Sequence, residues 1–103
     1  MTTKLSTLLK DIETLEIVGE TDKNIVALES DSRKACKDGM FVAVKGVTTD
    51  GHKYIPVVAS AHVGASVCET MPAQFEPGIT YIRVADSSEA LGRLASAWFG
   101  HPS

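Results

Sequence analysis

Residues 40–44, Met40-Phe41-Val42-Ala43-Val44, form an apolar run of strand length, entered through the turn signal Lys37-Asp38-Gly39. Between His52 and Ala61, the residues Tyr54, Ile55, Val58 and Ala59 recur at helical spacing. Pro56 suits such a helix only in its first turn, where the amide it lacks would have had no partner. Gly64 is placed to end the helix, and Ala65-Ser66-Val67-Cys68 reads as a second short buried strand. Residues 40–68 are thus a strand, helix, strand unit of the kind closed by a right-handed crossover, which puts the chain in the α/β class.

Outward from this unit the elements keep alternating. Thr3 is placed to cap a first helix in which Leu5, Leu8, Leu9 and Ile12 share a face. Ile25-Val26-Ala27-Leu28 reads as a buried strand between the polar turn Glu20–Asn24 and the turn Ser30–Arg33. Beyond Cys68, the stretch Met71 to Gly78 holds Pro72 and Pro77 and reads as an exposed connection into the strand Tyr81-Ile82-Arg83-Val84. Asp86-Ser87-Ser88-Glu89 has the spacing of a capping box, Leu91, Leu94, Ala95 and Trp98 then form a core-facing stripe, and Gly100 ends the helix. This order predicts one domain over residues 1–103, a three-layer α/β/α arrangement with a mixed sheet, large enough to need no metal or disulfide staple.

At 44% hydrophobic and 22% charged residues with a net charge of -3, the composition excludes a disordered tail and disfavours nucleic acid as a partner. Anion binding stays open, because it depends on local amides and hydroxyls and not on net charge. Cys36 and Cys68 lack metal or redox spacing. The first residues carry Lys4, Lys10 and Asp11 instead of an apolar leader, and no apolar run is long enough to span a bilayer. A cytoplasmic protein without a membrane partner is the expectation.

Two polar segments flank the strand Met40–Val44. Ser30 and Ser32 lie in the turn before it; Val47, Thr48 and Thr49 lie after it, between Gly46 and Asp50-Gly51. The Ser32 hydroxyl can donate to a phosphate oxygen or close the turn on its own backbone, and a glycine-bounded loop can present amides to an anion or simply be solvated. Arg33 can neutralise a phosphate or pair with Asp31 or Asp50, and the structural pairing is favoured. Asp50, followed by Gly51-His52, is expected to cap the helix that starts there.

Asp31-Ser32-Arg33, Asp38-Gly39, Phe41-Val42-Ala43-Val44, Gly46 and Asp50-Gly51-His52 together resemble the N-terminal domain of the Mur ligases, in particular the synthetases that add the third amino acid to UDP-N-acetylmuramoyl-L-alanyl-D-glutamate. The resemblance covers nearly the whole chain, down to the Phe99-Gly100-His101-Pro102-Ser103 run, but only about the first fifth to quarter of such an enzyme. It implies that the domain holds the uridine diphosphate end of the substrate, with Ser32 on the UDP moiety, Ser30 lining the uracil pocket, and Val47, Thr48 and Thr49 offering amides and hydroxyls. Some relatives have a His-Gln pair where this chain has Val47-Thr48, so no imidazole contact carries over. Arg33 and Asp50 support the two segments.

The resemblance further implies that the complete ligase uses ATP and Mg²⁺ to activate the D-glutamyl carboxylate, in central and C-terminal domains beyond this chain. No G-x-x-x-x-G-K-[ST] loop occurs here, so this chain is expected to be inactive by itself and to hold no cofactor. Ser32, His52 and Asp50 lack the surroundings of a hydrolytic triad, and the three histidines lack metal-ligand spacing, so neither catalytic residues nor a metal are assigned. The alternatives are the N-terminal domain of the D-alanyl-D-alanine-adding Mur ligase, whose motifs are similar, and a stand-alone binding module.

Overall fold

Side chains that alternate along the central strands bury both faces of one sheet, and this fixes the layers. The computed structural model describes residues 3–10, 12–44 and 51–99, with Gly51 and His52 described by backbone alone. In chain order the elements are β1 (Thr3–Lys4), α1 (Leu5–Leu9), β2 (Glu16–Val18), β3 (Asn24–Ile25), β4 (Leu28–Glu29), β5 (Met40–Val42), α2 (Ile55–Ala59), β6 (Ala65–Cys68), β7 (Thr80–Arg83) and α3 (Ser87–Phe99). Short 3-10 turns at Ser32–Lys34 and Gly51–Tyr54 precede β5 and α2.

One sheet has the order β2-β7-β6-β5-β4, and β1 and β3 pair apart from it. The strands β4 to β7 run parallel, while β2 joins β7 antiparallel through Ile17 opposite Ile82, so the sheet is mixed, as the sequence predicts. Met40, Val42, Ala65, Val67 and Ile82 pack on one face with Leu5 and Leu8 of α1 and Ala90 and Leu94 of α3. Phe41, Ala43, Cys68 and Tyr81 pack on the other with Ile55 and Val58 of α2. Every residue of β5 and β6 is buried, which is why neither strand has a polar face to read.

Several boundaries differ from the expectations. Thr3 does not cap α1: it pairs in β1 with Ile25, and the N-cap is Lys4, which makes no side-chain cap bond. The opening amides of the helix are satisfied instead by Lys23 O, which accepts from Leu5 N at 2.9 Å, and Thr21 O, which accepts from Ser6 N at 3.1 Å. The helix ends at Leu9, so Ile12 meets the core from the chain that follows.

Ile25–Leu28 is not one strand. Ile25 pairs with β1, Leu28 with β5, and Val26 between them is 41% exposed, because its amide turns to bond Asp38 O and the chain crosses from one ladder to the other. Gly64 does not end α2 either. The chain turns at His62, which has a positive φ of 61°, and Gly64 lies beyond it where a Cβ would come within 3.2 Å of the Ile25 side chain. Strand β2, which the sequence reading does not anticipate, is an edge strand in which Ile17 is exposed, as is Leu15 just before it.

Pro56 lies in the first turn of α2 and Asp86 caps α3 by accepting from Glu89 N at 3.1 Å, both as read from the sequence. The stripe on α3 is centred on Leu94, fully buried, with Ala90 buried and Leu91, Ala97 and Trp98 partly buried around it. Gly100 lies outside the described residues.

Candidate functional site

Strands β4 and β5 are parallel neighbours, with Leu28 opposite Met40 and Glu29 opposite Phe41. The Ser30–Arg33 turn therefore leaves the sheet at the same edge as the chain after Val42, and this is the carboxyl-end edge of all four parallel strands. In open α/β sheets this edge is where ligands bind. Of the residues singled out from the sequence, Ser30, Ser32 and Arg33 stand at the carboxyl end of β4. Val47, Thr48, Thr49 and Asp50 lie outside the described residues.

The turn is organised by Asp31. Its carboxylate accepts from Arg33 N at 2.9 Å, Arg33 Nε at 3.1 Å and Arg33 Nη2 at 3.0 Å, so the favoured structural pairing of Arg33 is with Asp31. These bonds hold the Asp31 carboxyl below the usual carboxylate range and push the Arg33 guanidinium up. Lys34 N bonds Asp31 O and Ala35 N bonds Ser32 O, at 3.0 and 3.3 Å. The amides of residues 33 to 35 are thus used inside the turn, and it is no open nest of amides. What the turn offers a ligand is the partly exposed Ser32 with its hydroxyl, the exposed Ser30, and the outer side of Arg33.

A groove of about 370 Å³ opens on the same edge at the end of β7, lined by Lys10, Ile12, Glu13, Val84, Asp86 and Arg93 among others. Its charged groups are largely engaged: Asp86 holds Glu89 N, and Arg93 Nε bonds Glu89 at 3.1 Å. At the end of β6, Glu69 accepts from both the amide and the hydroxyl of Ser87, at 2.9 and 2.8 Å, and so ties that strand to the start of α3. The sequence gives no sign of this bond, because Glu69 sits in a stretch with no motif. Burial pushes the Cys68 thiol up to about 11, so Cys68 is no nucleophile. Among the described residues no cluster of His, Cys, Asp or Glu side chains could hold a metal ion, and no helix is long and apolar enough to cross a membrane.

The layer order and the mixed sheet are those of an α/β domain that recurs in solved Mur ligases. A solved structure of MurF from Acinetobacter baumannii matches 93% of this chain with a TM-score of 0.78 at 22% identity, and this chain covers 21% of it. No protein-family model matches the chain. By sequence, it is 40% identical over 97% of its length to the UDP-N-acetylmuramoyl-L-alanyl-D-glutamate--2,6-diaminopimelate ligase of Bacteroides fragilis, and 39% identical over 97% to that of Parabacteroides distasonis. It spans 21% of the length of each. The chain belongs with the N-terminal domains of the Mur ligases.

Proposed function

We propose that this chain is the substrate-holding N-terminal domain of the ATP-dependent ligase that adds the third amino acid to UDP-N-acetylmuramoyl-L-alanyl-D-glutamate, and that it holds the uridine diphosphate end. The observation that carries the reading is the likeness to ligases of that name over nearly the whole chain, joined to the placing of the Ser30–Arg33 turn at the carboxyl edge of the parallel strands. Ser32 would donate to a phosphate oxygen, Ser30 would line the uracil pocket, and Val47, Thr48 and Thr49 would supply amides and hydroxyls. Arg33, held by Asp31, and Asp50 would keep the two segments in place. The relatives' names favour diaminopimelate as the amino acid added, with ATP and Mg²⁺ held by parts of the complete ligase outside this chain.

The D-alanyl-D-alanine-adding ligase is the second reading, favoured only by the fold likeness to MurF at 22% identity, whereas the relatives at 39–40% identity carry the diaminopimelate name. Titrating UDP, UMP and uridine into isotope-labelled protein tests the site. UDP should shift resonances in residues 30–33 and 47–49, and weakly, since one domain offers part of the contact surface. Ser32→Ala should weaken binding by about 10–100-fold, the worth of one hydrogen bond to a charged group, with the domain still folded. Saturating UDP that moves neither segment, or moves α3 alone, would remove the site from consideration.

A further inference from the structure

At the opposite edge of the sheet, where the parallel strands begin, one lysine reaches the chain ahead of two strands. Lys23 Nζ donates to Gly64 O at 3.0 Å and Gly78 O at 2.9 Å, carbonyls that lie just ahead of β6 and β7. The same residue's carbonyl accepts Leu5 N, and Thr21 O accepts Ser6 N, so the segment ending at Lys23 provides the cap that α1 lacks in its own side chains. The segment is seated from its other end as well: Thr80 Oγ1 donates to Glu20 O, and Gly19, at φ 116°, lies so close that a Cβ would stand 3.0 Å from Thr80 Cα. Glu20 and Asp38 face the ammonium, and the neighbouring Lys4 is paired with Asp22 at 2.6 Å.

We infer that Lys23 is a charge-dependent clasp that locks the start of α1 to the beginning of β6 and β7, so that removing its charge opens residues 19–24 locally and uncaps the helix. One ammonium has donors enough for both carbonyls, of which Gly64 O also accepts from Thr80 N at 3.0 Å, and an apolar side chain in its place supplies neither bond. Burial lowers the pKa of the Lys23 ammonium, and the carboxylates of Glu20 and Asp38 offset part of that cost.

Amide hydrogen exchange on Lys23→Met, which keeps the aliphatic stem and removes the charge, tests the clasp. The Leu5 and Ser6 amides should exchange at least about 10-fold faster, while amides in β5 and β6 keep their rates. Unchanged rates at Leu5 and Ser6 would overturn the inference, and so would an equal acceleration throughout the core, which would make Lys23 a contributor to global stability alone. Should Lys23→Met not fold, the wild-type protein gives the second readout. At low temperature the Lys23 ammonium protons should exchange with water more slowly than those of exposed Lys34, and exchange as fast as Lys34 would sink the clasp.

Discussion

Asp31 and Arg33 show how far a residue's role can be read locally. The sequence favours a structural pairing of Arg33 and leaves Asp31 and Asp50 open as its partner; the structure gives Asp31, two positions away in the same turn, where little of the chain has to be ordered for the two groups to meet. The folded state lowers the carboxyl's affinity for protons, so the pair's contribution is fully present above the unfolded-state value and is lost as pH falls through the lower, folded value. A carbon-detected pH titration should give Asp31 a midpoint below that of an ordinary aspartate, and Arg33→Gln should raise it part of the way back, since the residue 33 amide still donates to the carboxylate. Because the pair is exposed, added salt should shrink the difference. Lys23 was illegible by comparison: its two acceptors are 41 and 55 residues away, and a lysine in a polar turn looks like any solvated charge.

At the scale of elements, legibility followed burial. Strands β5 and β6 were found because they are short, mainly apolar runs separated by a helix pattern, whereas β2 was missed because Glu16, Ile17 and Val18 are an edge strand with little of their surface covered. Ile25–Leu28 misled for a different reason: one apolar run serves two ladders, and periodicity cannot show where a chain changes partners. On α3 the stripe was right in direction, with its weight on Leu94. Leu94→Ala should destabilise the domain by about 2–5 kcal/mol in urea unfolding, the range for a fully buried leucine. Trp98→Ala should cost less than the about 3–5 kcal/mol of a wholly buried aromatic, since the indole covers the cluster from its margin.

Across the whole molecule, the two rims of the parallel strands have separate duties: the carboxyl rim carries the candidate site, and the opposite rim carries the clasp. Of the candidate site, the sequence made the position of the Ser30–Arg33 turn legible, since a polar turn between two apolar runs falls at a strand end; Val47, Thr48 and Thr49 lie outside the described residues. The use of the turn's own amides was not legible, because it depends on backbone angles that no motif spells out. With no phosphate-binding loop in its sequence, the purified chain should show no ATP turnover with or without Mg²⁺, and sustained phosphate release by pure protein would contradict the reading of a substrate-holding domain.

The antiparallel seam between β2 and β7 joins distant parts of the sequence, with Ile17 opposite Ile82. During synthesis it cannot close until β7 has left the ribosome, so for most of that time Leu15 and Ile17 have no strand to lie against. Pairings of such long sequence separation are slow to form and expose chains to premature association. The pairings of β4 with β5 and of β5 with β6 need only chain made before β7, so they are open to the nascent chain earlier than the seam is.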